Sequence, residues 1–265
     1  MISEMTSEAS IVFLMYHELE IPGKPLCHPE PGYARYAVPE AEFRGQMQFL
    51  KDSGYQGVSV DQALEFQNGK FVAITFDDGP ETDWLAAAPI LRQAGFNATF
   101  YITSGWLGQP GHLSPEQLKD LSGQGFEIGC HSMTHAYLSD LDDPGLRRET
   151  ADAKARLEQI IGKAVVHFSC PGGRYNDRVA NAARTAGYHT VATSRIHANY
   201  PHTDVFALGR VAILRGLPIA TFSSICDGES LPGLRARGHV RDAAKRLLGS
   251  ALYDRVRKVL LGHGE

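Results

Sequence analysis

Residues 71–80, which read F-V-A-I-T-F-D-D-G-P, constrain this chain more than any other stretch. The first six form a buried-strand pattern, which runs directly into Asp77, Asp78 and a Gly-Pro turn. Neighbouring side chains of a regular strand point to opposite faces, so the two carboxylates can share one site only where the chain bends away. Because two such charges repel each other, we expect a cation beside them, most simply a metal ion.

Predicted strands and helices alternate along most of the chain. Strands are predicted at residues 11–16, 58–60, 71–76, 98–103, 126–130, 165–170 and 189–193. Helices are predicted at residues 39–53, 61–66, 83–93, 114–122, 144–161 and 177–186. This alternation predicts an α/β fold with a parallel sheet covered by helices, and seven or eight units fit a distorted (β/α) barrel better than an open sheet.

A barrel of this kind carries its chemistry at the carboxyl ends of the strands. Five candidate positions fall there by this interpretation: His17, Asp77, Asp78, His131 and the segment 171–174. The proline-rich and glycine-rich segment 21–36 has no period, so we expect a long loop that overhangs the cleft.

The C-terminal region departs from the barrel pattern. Residues 239–261 follow helical spacing, and residues 235–265 contain eight Lys or Arg against three Asp or Glu. We therefore expect two parts, a barrel domain at 1–230 and a basic amphipathic helical extension at 231–265. The extension either packs on or beside the barrel with its cationic face in water, or contacts an anionic membrane surface or a lipid-linked substrate.

Composition and motifs exclude several classes of function. The net charge of −4 argues against a nucleic-acid binder, and neither a P-loop nor a G-x-G-x-x-G motif supports nucleotide binding. Four widely spaced cysteines indicate reduced thiols rather than a zinc knuckle or a disulfide scaffold. The N-terminal sequence has no signal-like pattern, so we expect a cytoplasmic protein, with association at the inner membrane face if the extension contacts lipid.

The segment G-C-H-S-M-T-H places His131 and His135 four residues apart, directly after a predicted strand. Both imidazoles can then face one point, although a lone H-x-x-x-H also occurs as two unrelated polar residues. Two imidazoles and one carboxylate make the three-ligand set of catalytic zinc sites. Asp78 can supply that carboxylate and leave Asp77 as a proton acceptor. We expect Zn²⁺, with Co²⁺, Ni²⁺ or Fe²⁺ as alternatives.

Three stretches resemble the first three motifs of the polysaccharide deacetylase family, also called the NodB-homology or carbohydrate esterase family. They are T-F-D-D-G at 75–79, E-I-G-C-H-S-M-T-H at 127–135 and F-S-C-P-G-G-R-Y-N at 168–176. L-M-Y-H at 14–17, the stretch 43–55 and A-L-G-R-V-A-I at 207–213 further resemble the branch that acts on exopolysaccharides such as poly-N-acetylglucosamine. The resemblance covers about residues 11 to 214.

The resemblance implies a metal-dependent hydrolase that releases acetate from an N-acetylhexosamine in a polysaccharide, oligosaccharide or lipid-linked glycan, with a role in exopolysaccharide biosynthesis. Carried over by position, it implies Asp77 as general base and three metal ligands, Asp78, His131 and His135. It also implies the backbone N–H of Gly172 as an oxyanion donor.

The chain departs from the family pattern at two places. Many relatives have an arginine where this chain has Ser169, and that arginine pairs with the catalytic aspartate; Arg174 or Arg210 is expected to replace it. The usual late histidine, which protonates the departing amine, has no clear match. His17 is the leading candidate for that acid, with His197 and His202 behind it.

Aromatic side chains are candidates for a sugar-stacking surface, because rings stack well on pyranose faces. Trp84 and Tyr175 are predicted to bind substrate, and Trp106 is a further candidate; core packing is the alternative for both tryptophans. Two other functions stay open: an amidohydrolase on a small non-sugar amide, and a carbohydrate-binding relative without turnover. The second is motivated by Ser169 and the missing late histidine.

Overall fold

The fold is known from a computed structural model that describes residues 10–28, 30–65 and 69–236. Its main element is a sheet of eight strands: β1 (Val12–Tyr16), β4 (Gln56–Val58), β5 (Phe71–Phe76), β6 (Thr99–Ile102), β7 (Glu127–Cys130), β8 (His167–Ser169), β9 (Thr190–Ala192) and β10 (Val211–Ala212). All are parallel to their neighbours, and their spatial order is β10-β1-β5-β6-β7-β8-β9, with β4 beside β5. Two short strands, β2 (Leu19–Glu20) and β3 (Val38–Pro39), form a separate parallel pair.

The sheet curls into a barrel. Leu208 forms a parallel bridge with Ala192 of β9, and three residues later Val211 pairs with Leu14 of β1. The segment 208–212 therefore links the last strand back to the first. The predicted α/β class and barrel architecture are confirmed.

Helices cover the outside of the sheet. They are α1 (Pro31–Ala34), α2 (Glu40–Asp52), α3 (Val60–Glu65), α4 (Ala88–Ala94), α5 (Pro115–Gly123), α6 (Asp143–Arg147), α7 (Ala153–Ile161), α8 (Asp177–Thr185) and α9 (Ile219–Cys226). A π-helical turn at Asp83–Ala87 leads into α4, and another at Arg148–Asp152 joins α6 to α7.

The helix ends follow local sequence chemistry. The side chain of Ser114 accepts from the N–H of Gln117 and the Gln117 side chain returns the bond, which is a capping box at the start of α5. The side chain of Asn176 caps α8 by accepting from the N–H of Val179. Gly95 and Gly162 end α4 and α7 in the left-handed conformation that glycine adopts without a Cβ clash.

The two faces of the sheet have different partners because strand side chains alternate. Outward residues such as Leu14, Ile74 and Phe100 belong to the large core between sheet and helices. Inward residues, among them Phe13 and Tyr101, fill the barrel in a smaller cluster. Polar inward side chains are left at the two ends of this cluster, where the strands begin and where they end.

The structure differs from the predicted elements in a few places. The strand predicted at residues 58–60 lies two residues earlier, as β4. The loop predicted at 21–36 contains the one-turn helix α1. The short elements β10 and α9 were not predicted. The predicted helix at 239–261 lies outside the described residues, and of the predicted extension at 231–265 only residues 231–236 are described, where the chain is helical. Within the described part, no helix is both long and apolar enough to cross a bilayer. The four cysteines are free thiols, and all but Cys27 are buried.

Candidate active site

The two adjacent aspartates lie at the carboxyl end of β5, where the chain bends. Asp78 has a φ of +80° and Gly79 a φ of +81°, so the regular strand ends between the two carboxylates. Aspartate tolerates this left-handed conformation better than most residues do. The N–H of Asp77 donates to the carbonyl of Tyr16 at 3.0 Å, which holds the bend against β1. The predicted bend is therefore present.

Arg210 is the cation that pairs with Asp77. Its Nη1 donates to Asp77 Oδ1 at 2.7 Å and its Nη2 to Asp77 Oδ2 at 2.8 Å, with both side chains buried. Burial alone would raise the pKa of Asp77, but the Arg210 guanidinium outweighs burial and holds that pKa well below its usual range. Asp77 is thus ionised although it is buried.

Ser169, at the end of β8, completes the Arg210 contact. Arg210 Nη2 donates to Ser169 Oγ at 2.7 Å, while Nη1 donates to Thr75 Oγ1 and Nε to the carbonyl of Thr193. All five donors of the guanidinium side chain therefore face fixed acceptors. Of the two arginines expected from the sequence, the structure places Arg210 and not Arg174 against Asp77.

Asp78 faces the two predicted imidazoles. Its Oδ1 lies 3.6 Å from His131 Nε2 and 3.4 Å from His135 Nε2, and the three ligand atoms lie within 4.8 Å of one another. Asp78 Oδ1 is buried and has no hydrogen-bond partner among the described residues. Two ligands about 2.1 Å from one metal at the tetrahedral angle are about 3.4 Å apart. The predicted ligand set thus fits a divalent ion.

The tautomer of His131 is fixed by its surroundings. Its Nδ1 lies 3.0 Å from the carbonyl of Ser169, which can only accept, so Nδ1 carries the proton and Nε2 offers its lone pair. Burial lowers the pKa of His131 to about 3 and also lowers that of His135. Burial raises the pKa of Asp78 to about 6. The two imidazoles are therefore neutral near pH 7, as metal ligands must be.

Glu149 holds the loop that carries both histidines. This buried carboxylate lies in the π-helical turn at Arg148–Asp152 and accepts from the N–H groups of Met133 and Thr134 at 2.9 and 2.8 Å, and from Thr134 Oγ1 at 2.8 Å. The loop needs such support because Ser132 and His135 have positive φ values of 69° and 61°. Sequence reasoning did not identify Glu149, since a lone glutamate inside a helix carries no motif.

His17 follows β1 and lies at the edge of this centre. Its ring packs on Tyr36 with centroids 4.7 Å apart, and its buried Nδ1 has no hydrogen-bond partner within the part of the chain that is described. Burial lowers the pKa of His17, although the carboxylates of Asp78 and Asp77 act in the opposite direction. The role of His17 as an acid stays a prediction.

Of the predicted aromatic residues, Trp106 lies next to the centre. Its ring centroid is 5.2 Å from that of His135 and 5.3 Å from that of His28, which comes from the loop 21–36. That loop therefore reaches the metal-ligand set through Trp106. Trp84 lies on the outer helices instead, where its Nε1 donates to Asp120 Oδ2 at 2.7 Å.

The third motif forms a rim with an exposed tyrosine that sequence reasoning missed. The Arg174 guanidinium lies 4.9 Å from the Tyr137 ring centroid, and a Cβ added at Gly172 would meet that ring at 2.7 Å. Gly172 has a φ of +58°, so glycine is needed there both for the backbone and for the close approach of the ring. Tyr175, for its part, packs under the Arg195 guanidinium at 4.9 Å.

Comparison with known proteins identifies relatives along most of the chain. The family model for polysaccharide deacetylase matches residues 66–191. YxkH of Bacillus subtilis, provisionally named a polysaccharide deacetylase, is 30% identical over 222 residues, which are 82% of this chain and 76% of that protein. A peptidoglycan-N-acetylglucosamine deacetylase of Bacillus cereus is 37% identical over 128 residues, 48% of this chain and 58% of its own length.

A more distant relative and two solved structures share the same region. A poly-beta-1,6-N-acetyl-D-glucosamine N-deacetylase of Staphylococcus aureus is 24% identical and aligns over 67% of this chain and 68% of its own. IcaB from Ammonifex degensii superposes with a TM-score of 0.68 and 26% identity, covering 84% of this chain and 97% of that one. The Streptococcus pyogenes deacetylase PplD superposes with a TM-score of 0.73 and 24% identity, covering 82% of this chain and 98% of that one. This likeness shows that the two proteins share a fold.

Proposed function

The chain belongs to the polysaccharide deacetylase family, and from this premise we propose that it hydrolyses the N-acetyl group of an N-acetylhexosamine in a glycan in a metal-dependent reaction that releases acetate. The observation that carries the proposal is the different surroundings of two adjacent aspartates. Asp77 has both oxygens bound by Arg210, whereas Asp78 Oδ1 is buried without a hydrogen-bond partner in the described ranges and faces two imidazoles. Asp77 is therefore held ionised, as a proton acceptor must be, and Asp78 is free to bind a cation.

Asp78, His131 and His135 are the proposed ligands. The chemistry that a divalent ion supplies when bound there is polarisation of the acetamide carbonyl and a lower pKa of water. Zn²⁺ suits one carboxylate and two imidazoles, and Co²⁺, Ni²⁺ or Fe²⁺ are the alternatives that the donor set allows.

Asp77 is the proposed general base that accepts a proton from the attacking water. Its Arg210 pair keeps it ionised, and Ser169 and Thr75 keep the guanidinium in place. The backbone N–H of Gly172 is the proposed donor to the oxygen that becomes negative. His17 is the proposed acid for the departing amine, and its replacement by Gln is expected to slow turnover while metal content stays normal.

The substrate class follows from the relatives and from the rim. The relatives named above act on peptidoglycan N-acetylglucosamine and on poly-N-acetylglucosamine, so we propose an N-acetylglucosamine-containing glycan, with exopolysaccharide as the leading source. Trp106, next to His135, and the exposed Tyr137, next to Gly172, offer rings for stacking on sugar faces. A cytoplasmic location, and membrane contact through the C-terminal extension, stay predictions from the sequence.

The test is metal analysis coupled to acetate release from a panel of N-acetylated sugars and small amides. Asp78→Asn is expected to lose both metal and activity, whereas Asp77→Asn is expected to retain metal and lose activity. Asn at 77 leaves Arg210 buried without its charge partner, so both variants are assayed well below their unfolding temperatures. Wild-type protein that binds metal but releases no acetate from any sugar would contradict the proposal and favour a non-sugar amide or a binding role.

A further inference from the structure

A second set of potential ligands lies at the opposite end of the barrel. Asp61 at the start of α3, Glu127 at the start of β7 and His167 at the start of β8 each bring one ligand atom to a common point, with the three atoms within 4.8 Å of one another. His131 follows the other end of β7, four residues from Glu127, so the two sets are about 13 Å apart. None of the proposed catalytic residues belongs to this second set.

His167 carries a buried nitrogen that the described residues leave without a hydrogen-bond partner. The residue is 1% exposed, its Nδ1 lies 2.9 Å from Thr190 Oγ1, and its Nε2 has no hydrogen-bond partner among the residues that are described. A buried ring nitrogen without a partner is costly. With the proton on Nδ1 and donated to Thr190, the lone pair of Nε2 points at the two carboxylates.

The distances at Nε2 suit ligands of one ion better than a direct ion pair. Nε2 lies 3.5 Å from Glu127 Oε2 and 3.7 Å from Asp61 Oδ1. A protonated imidazole bound to a carboxylate would approach to about 2.7–2.9 Å. Two ligands of one tetrahedral metal are about 3.4 Å apart, and the corresponding distances from Asp78 to its two imidazoles are 3.4 and 3.6 Å.

Glu127 is oriented by its neighbours toward the same point. Ser59 Oγ and the N–H of Asp61 both donate to Oε1 at 3.0 Å, and Thr99 Oγ1 donates to Oε2 at 2.6 Å. Each carboxylate oxygen has about two lone-pair positions, so the one that these donors leave free is on Oε2, the atom that faces His167. Carboxylates that bind a metal are typically oriented by hydrogen bonds of this kind.

We propose that Asp61, Glu127 and His167 form a second divalent transition-metal site that ties α3 to the beginnings of β7 and β8. The imidazole favours Zn²⁺, Co²⁺ or Fe²⁺ over Ca²⁺ and Mg²⁺. The ion binds two carboxylates and one neutral nitrogen, so its charge balances that of the two carboxylates at this end of the barrel. Its role is structural, because the proposed reacting groups lie at the other end.

The experiment uses the full chain without a histidine tag, stripped with a chelator and titrated with Co²⁺. The Asp78→Asn/His135→Ala background disables the catalytic set, and one equivalent of Co²⁺ is expected to remain bound and to raise the unfolding temperature. Adding Asp61→Asn, a change at a side chain that is 68% exposed and so compatible with folding, is expected to weaken Co²⁺ binding at least about tenfold and to abolish the thermal shift. Glu65 is an exposed acid on the same helix, so Glu65→Gln is the matched control; it is expected to keep both the Co²⁺ affinity and the thermal shift of the background.

Two results would overturn the proposal. One is a background variant that binds no Co²⁺ after desalting, which would leave Asp61, Glu127 and His167 as an ordinary polar cluster. The other is equal binding by the Asp61→Asn and Glu65→Gln variants. Neither result bears on the proposed deacetylation, since the background lacks catalytic ligands throughout.

Discussion

Replacing Arg210 with Met tests the electrostatic logic of the site. Methionine keeps much of the aliphatic volume of this buried residue but removes its charge and all five donors. Asp77 would then be a buried carboxylate without a cation. Removing one partner of a buried ion pair costs about 3–5 kcal/mol. At about 2–4 °C per kcal/mol for a domain of this size, the unfolding temperature at neutral pH is expected to fall by roughly 6–20 °C.

The loss should depend on pH in a defined direction. Asp77 has a lowered pKa in the folded wild type, so its contribution to stability is present above the unfolded pKa of about 3.9 and is lost as pH falls toward the folded value. In Arg210→Met, burial acts unopposed and raises the pKa of Asp77. The gap in stability between the two proteins is therefore expected to be large at pH 7 and to narrow as pH falls toward 4. The acidic limb of kcat/KM should move to higher pH for the same reason.

Two further proteins make the measurement decisive. Arg174→Met, at an exposed guanidinium that stacks on Tyr137, is expected to cost less than about 1 kcal/mol and to leave the acidic limb unchanged. Arg210→Met combined with Asp77→Asn removes both charges and should recover much of the lost stability. Thermal unfolding and pH–rate profiles of the four proteins check this. The reasoning is refuted if Arg210→Met unfolds at the wild-type temperature. It is also refuted if the variant that combines Arg210→Met with Asp77→Asn loses as much stability as Arg210→Met alone.

Three other perturbations give separate tests. Because burial raises the pKa of Asp78 to about 6, protons compete with metal at this ligand, so metal affinity measured by calorimetry is expected to fall by up to about tenfold per pH unit below pH 6 and to be nearly flat above it. Glu149→Gln replaces a carboxyl oxygen that holds the histidine loop with an amide nitrogen, and metal affinity is expected to weaken about 10–100-fold; unchanged affinity would contradict the role of Glu149. Trp106→Ala is expected to raise KM for an N-acetylated oligosaccharide severalfold, whereas Trp84→Ala, at the outer helices, should leave KM unchanged; equal effects in steady-state assays would count against a stacking role for Trp106.

Much of the architecture was predictable because it depends on local signals. The strand at residues 71–76 was predicted with the bounds that the structure shows, since a run with five apolar residues out of six next to D-D-G is unambiguous. The starts of the helices predicted at 114–122 and 177–186 were also found within a residue of their predicted positions, because the side chains of Ser114 and Asn176 cap the N–H groups that follow them. The short strand β10 was missed because two residues carry no period; pairing with β1 defines it.

The sequence by itself determined the parallel α/β fold, because strand periodicity and turn residues are properties of neighbouring positions. It also grouped Asp78 with His131 and His135, because the carboxyl ends of parallel strands meet at one end of a barrel. Only the tertiary structure decided which arginine neutralises Asp77. Arg210 is 133 positions away in sequence, and closure of the barrel brings it beneath the bend after β5. The same closure gathers Asp61, Glu127 and His167 from three separate segments. Contacts of that kind leave no local pattern, since their cause is the curvature of the whole sheet.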